Sequence, residues 1–322
     1  FDHIDSGDET RANYPDTALG LPSGDYDVPI MLADKHFDAN GLLIYDQFAG
    51  EGFVGDKVTV NGKIQPYFKV ARRKYRIRIL AGGPARVYDL VLKYGTANQA
   101  FTYIANDGNL LPAPLTMTSV MLGTAERADI VVDFKNYPLG SKLYLVNRLE
   151  QKDGRKPKSE FLQPGHQVLR FDVDREPEAP DMSRVPAKLR ELPPINLNEV
   201  VRTRRFQFKW LNGMWTVNDR LFDVMKPMAT VKRGTAEIWE FEGSGGWYHP
   251  IHVHMEEGRI LSRNGAPPPP HERGRKDVYL LPDSSTVRVF MRFRDWQGKY
   301  LIHCHNVVHE DHAMMVRYDV VP

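Results

Sequence analysis

Residues 303–315 read HCHNVVHEDHAMM, and this stretch decides what kind of protein the chain can be. It contains four histidines, the only cysteine of the chain and two methionines. Upstream, residues 249–254 read HPIHVH and add three more histidines. Thiolate, imidazole and thioether groups are ligands that proteins offer to transition metals. The two stretches together therefore predict a metal centre.

The first stretch begins at the end of KYLIHCH, which has the composition of a β-strand. Successive side chains of a strand point to opposite faces. His303 and His305 should then share one face, while Cys304 points to the other. Metals bound on the two faces would be joined by only a few covalent bonds. This arrangement suits electron transfer from one metal site to another.

The HPIHVH stretch divides its histidines in the same way. His252 and His254 share a face of their strand, and His249, three residues earlier, points opposite to them by strand parity. We expect His249 to lie with Cys304 on one face. His252 and His254 should lie with His303 and His305 on the other. Both stretches thus place candidate ligands on the two faces of a strand in the same way. Core packing alone would not produce this shared division.

His309 and Met314 follow Cys304 at equal intervals. One thiolate, imidazoles and a distant thioether form the ligand set of a blue-copper electron-transfer site. Zinc is the main rival metal, since it uses cysteine and histidine ligands but has no need of a methionine. Taken singly, a buried cysteine or methionine is usually part of a core. The joint pattern favours copper.

The rest of the chain is typical of an all-β protein. It has 322 residues with 25 Gly and 23 Pro, which is long enough for two domains. Short β-like runs separated by turns begin near residue 25, and Asn61-Gly62 within VTVNGKIQPYF is a strong hairpin signal. The stretch MWTVNDRLFD, from residue 214, resembles that hairpin in outline. We therefore predict two similar β domains in series, each a sandwich or barrel.

These motifs resemble those of multicopper oxidases, in particular bacterial laccases similar to the spore-coat laccase and bilirubin oxidase. LPSGDYDVPIMLADKHFDANGLLIYD, DGNLLPAP and LGTAERADIVVDF resemble the middle domain of these enzymes, whereas GMWTVNDRLFD, HPIHVH and HCHNVVHEDHAMM resemble the last. The resemblance implies two cupredoxin-like Greek-key β-barrel domains in tandem. It also implies copper of types 1, 2 and 3, about four ions per complete enzyme.

Carried over residue by residue, the resemblance implies a role for each candidate ligand. The implied ligands of the type 1 copper are His249, Cys304, His309 and, in the axial position, Met314. The implied ligands of the trinuclear cluster are His252 for the type 2 copper and His254, His303 and His305 for the type 3 pair.

The implied activity is one-electron oxidation of a small reducing substrate, such as a phenol or a pyrrole pigment, with O2 reduced to water at the cluster. Cys304 would carry electrons to His303 and His305. Glu310, directly after His309, would relay protons to the oxygen site. A solvated acid on a loop is the other interpretation of Glu310.

The chain lacks half of the histidines that the family's cluster requires. Two further His-x-His motifs belong to an N-terminal domain in the family, and no such motif precedes HPIHVH here. Residues 1–9, FDHIDSGDE, resemble the segment where that domain ends. We therefore expect an N-terminal cupredoxin domain of about 150 residues that is cleaved, carried by another chain or absent. The expected divisions are the lead-in segment 1–22, the middle domain 23–175, a Pro-rich linker 176–194 and the C-terminal domain 195–322.

Other functions stay open at this point. A non-catalytic blue-copper electron-transfer or copper-binding module would keep the type 1 site, but it has no use for the paired histidines. A copper nitrite reductase shares the fold, but histidines on both sides of Cys304 favour a trinuclear cluster. The near-balanced charge of +2 gives no indication of a nucleic-acid partner, and no apolar run is long enough for a membrane span. A periplasmic, secreted or spore-associated location is implied by the family alone.

Two features receive no role in the predicted chemistry. The remaining histidines outside the two stretches are expected to be surface or structural residues, namely His3, His36, His166 and His271. The Pro-rich, basic stretch 265–276, GAPPPPHERGRK, either frames the substrate entrance or is an ordinary surface loop.

Overall fold

The structure is a computed structural model that describes residues 19–322, and its secondary structure is almost entirely β. His3 and most of the expected lead-in segment 1–22 lie outside the described residues. The strands of the first unit are β1 (Asp27–Phe37), β2 (Leu43–Ile44), β3 (Lys57–Val60), β4 (Lys63–Ile64), β5 (Tyr67–Ala71), β6 (Lys74–Ala81), β7 (Tyr88–Tyr94), β8 (Ala97–Gln99), β9 (Phe101–Asn106), β10 (Asn109–Met117), β11 (Val120–Leu122), β12 (Arg127–Asp133), β13 (Lys142–Leu149) and β14 (Phe161–Arg175).

A second group of strands follows and contains one short α-helix. Its elements are β15 (Val200–Leu211), β16 (Met214–Val217), β17 (Ala229–Lys232), β18 (Ala236–Gly243), β19 (His249–Val253), β20 (Gly258–Arg263), β21 (Arg275–Lys276), β22 (Val278–Leu281), β23 (Thr286–Arg292), β24 (Gly298–Cys304), α1 (Val307–Asp311) and β25 (Met315–Val321). Short 3-10 turns occur at Gly24–Tyr26, Phe134–Asn136, Leu197–Glu199 and Pro270–Glu272. Within residues 19–322, no helix has the length and apolar character needed to cross a bilayer.

The first unit consists of two sheets that enclose one core. One sheet has the order β10-β9-β12-β6-β1-β3-β4, with β2 beside β1, and the other has the order β11-β7-β13-β14-β5, with β8 beside β7. Ile77 and Ile130 of the first sheet lie in the same buried cluster as Leu90 and Leu145 of the second. The alternation of buried and exposed positions along these strands is what a two-layer β fold requires.

The second unit repeats this plan with fewer strands. Its sheets have the orders β16-β15-β18-β23-β20-β21 and β17-β25-β24-β19-β22. In both units the first strand pairs in parallel with a strand after the hairpin, β1 with β6 and β15 with β18. The last strand also pairs in parallel in both, β14 with β5 and β25 with β17. The predictions of an all-β protein and of two similar units in series are confirmed, whereas the domain boundaries themselves stay predictions.

The Asn turn found twice in the sequence has the same role in each unit. Asn61 and Asn218 both have a positive φ, 48° and 50°. The side-chain oxygen of Asn61 accepts the backbone N–H of Met31 at 2.7 Å, and that of Asn218 accepts the N–H of Gln207 at 2.7 Å. Each asparagine therefore ties the turn back to the first strand of its unit.

The expected linker 176–194 contains no strand and packs against the first unit. The carboxylate of Asp181 accepts the backbone N–H of Lys74 at 3.0 Å. Leu189 is buried in a small apolar cluster with Ile104. An acidic and an apolar side chain of this segment therefore find partners on β6 and β9 of the first unit.

The stretch 265–276 forms part of the interface between the two units. The carbonyl of His271 accepts the side-chain N–H of Asn106 in the first unit at 2.5 Å. A Cβ atom at Gly274 would lie 2.9 Å from a methyl carbon of Leu111 and 3.2 Å from the side-chain oxygen of Asn106, so a larger residue would force these side chains to move. The Pro-rich, basic composition of residues 265–276 did not predict that this stretch lies between the two units.

Buried charges join the two units at the end of this stretch and at the residue that follows it. The ammonium group of Lys276 lies 2.9 Å from Asp107 and 3.1 Å from Glu126, and all three side chains are almost completely buried. Arg127 of the first unit holds the carboxylate of Asp277 through two bonds of 2.7 and 2.8 Å. Strand β22, which begins at the next residue, is therefore anchored to the first unit as well as to β19.

Candidate metal centre

The two histidine stretches lie on adjacent antiparallel strands, β19 and β24. Their register places Ile251 opposite Cys304 and His252 opposite His303. Directly opposed side chains lie on the same face of a sheet, and His249, two residues before Ile251, lies on the face of Cys304. The histidines are thus divided between the two faces as strand alternation predicts.

One face carries a front group, which we define as His249, Cys304 and His309. The sulfur of Cys304 lies 3.5 Å from Nδ1 of His249 and 3.6 Å from Nδ1 of His309. All three donor atoms lie within 4.8 Å of one another, and all three residues are fully buried. Two donors that share one metal ion at bonds of about 2.0–2.3 Å stand about 3.4–3.7 Å apart. The separations therefore fit a single bound metal.

Helix α1 and the turn after it position His309 and Met314. The N–H of Glu310 donates to the carbonyl of Asn306 at 3.0 Å and closes the helical turn that carries His309. The backbone of Met314 is hydrogen-bonded to His309 and to Cys304. Its N–H donates to the carbonyl of His309 at 2.9 Å, and its carbonyl accepts the N–H of Cys304 at 3.0 Å. Met314 is fully buried in the same core as Cys304. The sequence pattern did not predict this helix.

Burial sets the protonation of the front group. It lowers the pKa of His249 to about 4, and it holds the pKa of His309 well below its ordinary value. It also raises the pKa of the Cys304 thiol. Both imidazoles are therefore neutral and have a lone pair to offer, and a metal would displace only the thiol proton. The two imidazoles are thus in the state that metal binding requires, whereas the thiol has to give up its proton to the solvent when a metal binds.

Three residues that the sequence reasoning missed cover the front group. Nε2 of His309 lies 3.3 Å from the carbonyl of Glu51 and 3.1 Å from the side-chain amide nitrogen of Asn306, so these contacts engage Nε2 and leave Nδ1 facing Cys304. The backbone N–H of Asn306 donates to the sulfur of Cys304 at 3.5 Å. The ring of Trp215 stacks on His309 with a centroid distance of 3.6 Å. Trp215 and Asn306 lie within the quoted MWTVNDRLFD and HCHNVVHEDHAMM stretches, whereas Glu51 had no signal in the sequence.

The opposite face carries a back group, which consists of His252, His254, His303 and His305. Nε2 of His254 lies 3.1 Å from Nε2 of His303, and these residues and His252 offer donor atoms within 4.8 Å of one another. The ring centroid of His305 lies 5.3 Å from that of His303 and 6.1 Å from that of His252. Nδ1 of His305 is buried and has no hydrogen-bond partner in residues 19–322.

Neighbouring groups orient the back group. Nδ1 of His252 donates to the carbonyl of Asp277 at 2.9 Å, so its Nε2 is the atom left for a metal. Arg127 holds the side chain of this same Asp277 from the first unit. The carboxylate of Glu310 lies 3.3 Å from Nδ1 of His303. Both rings are thus held with Nε2 available.

The charges of the back group follow from burial and from one another. Burial, together with the neighbouring His252 and His303, lowers the pKa of His254 to about 4. Burial alone would raise the pKa of Glu310, but the hydrogen bond to His303 and the nearby histidines lower it below its ordinary value. Glu310 is therefore an ionised carboxylate beside the back group.

The remaining histidines of the described residues join neither group. His36 lies at the surface with Nδ1 2.9 Å from a carboxylate oxygen of Asp56. The ring of His271 lies against Tyr103 at the interface between the units. These positions agree with the surface or structural roles expected from the sequence.

Comparisons with known proteins identify relatives along most of the chain. The family model described as multicopper oxidase matches residues 193–322. Bilirubin oxidase from Albifimbria verrucaria is 35% identical over 314 residues, which cover 94% of this chain and 54% of that protein. Laccase from Bacillus subtilis (strain 168) is 30% identical over an alignment of 338 positions, which covers 94% of this chain and 64% of that protein.

The solved structures agree with these matches. A variant of the McoA multicopper oxidase from the hyperthermophile Aquifex aeolicus superposes with a TM-score of 0.86 at 30% identity, over 98% of this chain and 70% of that one. A laccase from Pediococcus acidilactici superposes with a TM-score of 0.81 at 27% identity. The chain spans a little more than half the length of the curated relatives it matches. Its fold, its two donor groups and these matches together show that the chain belongs to the multicopper oxidase family, whose cofactor is copper of types 1, 2 and 3.

Proposed function

We propose that this chain is the part of a laccase-like multicopper oxidase that oxidises the substrate and supplies half of the oxygen-reducing site. The front group would hold the type 1 copper through His249, Cys304 and His309. Met314 would be the axial ligand. The observation that carries the proposal is the presence of a thiol group and an imidazole group on opposite faces of the single strand β24.

We assign the back group to the trinuclear cluster. His252 would bind the type 2 copper, and the type 3 pair would take His254, His303 and His305. The relatives are longer than this chain, and we propose that histidines of an N-terminal cupredoxin domain complete the cluster. That domain would belong to the same protein or act as a separate chain.

Copper, when bound, supplies one-electron oxidation of the reducing substrate at the front group and four-electron reduction of O2 to water at the back group. The protein's own contribution is the short connection between the two. Cys304 is bonded through the backbone to His303 and to His305, so the thiol and both imidazoles are separated by one peptide unit each. The N–H of Asn306 and the rigid pairing of β24 with β19 keep the sulfur in place.

Glu310 is the proposed proton relay. Its carboxylate is half-buried and lies 3.3 Å from Nδ1 of His303. An acceptor at this position can take a proton from water at the partly exposed side and pass it toward the oxygen site, which consumes protons during turnover. A carboxylate elsewhere on α1, such as Asp311, has no contact of this kind with the back group among the described residues.

The proposed substrates are phenolic or related small reductants, with O2 as the acceptor. Relatives carry the names laccase and bilirubin oxidase, which supports this class without selecting one compound. A periplasmic, secreted or spore-associated location is proposed on the family resemblance alone. A simple blue-copper carrier is disfavoured because it would leave the four buried or half-buried histidines of the back group without a function.

Copper loading of the purified chain tests the proposal. The chain alone should bind copper at the front group, with an intense visible absorption from the thiolate and a spin-resonance spectrum of a type 1 site. After addition of an N-terminal domain, the assembly should hold about four coppers and consume oxygen with a phenolic donor. His254→Ala with His303→Ala should abolish oxygen uptake and keep the absorption.

A colourless chain that takes up zinc in preference to copper would contradict the type 1 assignment. Full copper loading of a completed assembly without oxygen uptake would instead leave the type 1 site standing and refute the oxidase function.

A further inference from the structure

The front group has no exposed edge from which a substrate could give up an electron by direct contact. His249, Cys304 and His309 are each 0% exposed. The edge of His309 that carries Nε2 faces the carbonyl of Glu51. A donor molecule on the surface must therefore deliver its electron through a residue that covers the group.

Trp215 is the ring in closest contact with both histidines. It stacks on His309 with a centroid distance of 3.6 Å and an interplanar angle of 29°. It meets His249 edge-on at 5.6 Å. Its N–H donates to the carbonyl of Gly50 at 2.9 Å, which fixes the plane of the ring. Trp215 itself is fully buried, so it is an intermediate and not the point of entry.

Trp210 connects Trp215 to the surface. The two rings lie in contact on the hairpin of β15 and β16, with a centroid distance of 4.7 Å and an angle of 66°. Trp210 is 39% exposed. An aromatic donor can stack on such a ring or meet its edge, the arrangements that aromatic pairs prefer.

A second ring, Trp247, also touches Trp215 at a centroid distance of 5.0 Å. The guanidinium of Arg155 lies over its face at 4.9 Å from the centroid. That face is therefore covered, and the positive charge opposes the removal of electron density from the ring. Trp210 is the better entry of the two.

We propose that Trp210 and Trp215 form the path by which electrons from surface-bound aromatic donors reach the front group. The inference rests on the proposed function, since it needs a cupric ion at the front group as oxidant. In each transfer the donor loses one electron, the cupric ion becomes cuprous, and a phenolic donor releases its proton to water. Both tryptophans end unchanged.

To test the path, methoxyphenol is mixed with the copper-loaded chain in the absence of oxygen. The rate of copper reduction is measured from the loss of the visible absorption. Trp210→Leu should slow this reduction by about tenfold or more, whereas Trp210→Phe, which keeps an aromatic ring, should slow it less. The matched control is Trp296→Leu, since Trp296 is 64% exposed and makes no ring contact with Trp215 among the described residues. Its rate should stay at the original value.

A second measurement does not depend on substrate oxidation. The fluorescence decay of Trp210 is obtained as the difference between the original chain and Trp210→Leu. Copper at the front group should shorten this decay, and zinc at the same site should not, because zinc accepts no electron. Trp215→Phe should reduce the effect of copper.

Each failure has a distinct meaning. A Trp210→Leu variant that keeps its melting temperature and copper spectrum, yet is reduced at the original rate, would overturn the path. Equal decays with copper and zinc would overturn it as well. Absence of the visible absorption in the original chain would instead refute the proposed type 1 site.

Discussion

Replacement of Lys276 by methionine should weaken the junction between the two units. The ammonium group lies 2.9 Å from Asp107 and 3.1 Å from Glu126, and its side chain is only 4% exposed. The variant would leave two buried carboxylates without their cation. Removal of one partner from a buried ion pair costs about 3–5 kcal/mol, out of a total free energy of unfolding of about 5–15 kcal/mol for a domain. We expect a loss in that range.

The loss should depend on pH in a defined direction. Burial raises the pKa of Glu126, and Lys276 partly offsets this rise. Without Lys276 the pKa of Glu126 rises further, so the carboxyl takes up a proton more readily in the folded variant. A carboxyl with a raised pKa is tolerated while it is protonated, and stability is lost as the pH rises through the raised value. The variant should therefore be least impaired in acid and most impaired in base.

Urea unfolding of the original chain and of Lys276→Met at several pH values measures both effects. The double variant with Glu126→Gln should recover part of the loss, because it removes one of the uncompensated charges. Lys226→Met is a suitable control, since Lys226 is 85% exposed on its side chain. A loss below about 1 kcal/mol, the range of surface pairs, or a loss independent of pH would refute the reasoning.

Three further outcomes are expected. Cys304→Ser should abolish the visible absorption of copper-loaded protein, measured by optical spectroscopy, because the thiolate carries the charge transfer. Met314→Leu should raise the type 1 potential, measured by redox titration, and an unchanged potential would mean that Met314 is not a ligand. Burial alone would raise the pKa of Asp181, but hydrogen bonds from Ser183 and Lys74 lower it to about 2. That stabilisation exists above the ordinary pKa and is lost as the pH falls through about 2, so Asp181→Asn should cost about 2 kcal/mol at neutral pH and progressively less as the pH approaches 2, measured by urea unfolding.

The division of the metal-binding residues between two faces could be predicted from sequence because a strand has a strict period of two. Parity alone places His249 with Cys304 and His252 with His303. The tandem arrangement was also accessible, since Asn61 and Asn218 mark the same turn in each unit. Strand alternation and the Asn turns each depend on a few residues that are neighbours in the sequence, so both could be recognised without the structure.

Other parts of the site depend on contacts between distant segments. Glu51 approaches His309 from the first unit through its backbone carbonyl, and no side-chain pattern records such a contact. Lys276 belongs to a Pro-rich, basic stretch whose composition is typical of a surface loop. Its burial depends on Asp107 and Glu126, which lie far away in the sequence. The short helix α1 contains only five residues, too few for a helical period to be recognised.

The pairing of β24 with β19 has a consequence for how this protein can evolve. A single residue inserted between Tyr300 and His303 would turn the sulfur toward the back group and both imidazoles toward the hydrophobic interior. One such length change would disrupt both donor groups together, and a point substitution nearby would not restore the register. Variation in chain length is therefore expected to be confined to connecting loops, while this strand keeps its spacing across long divergence.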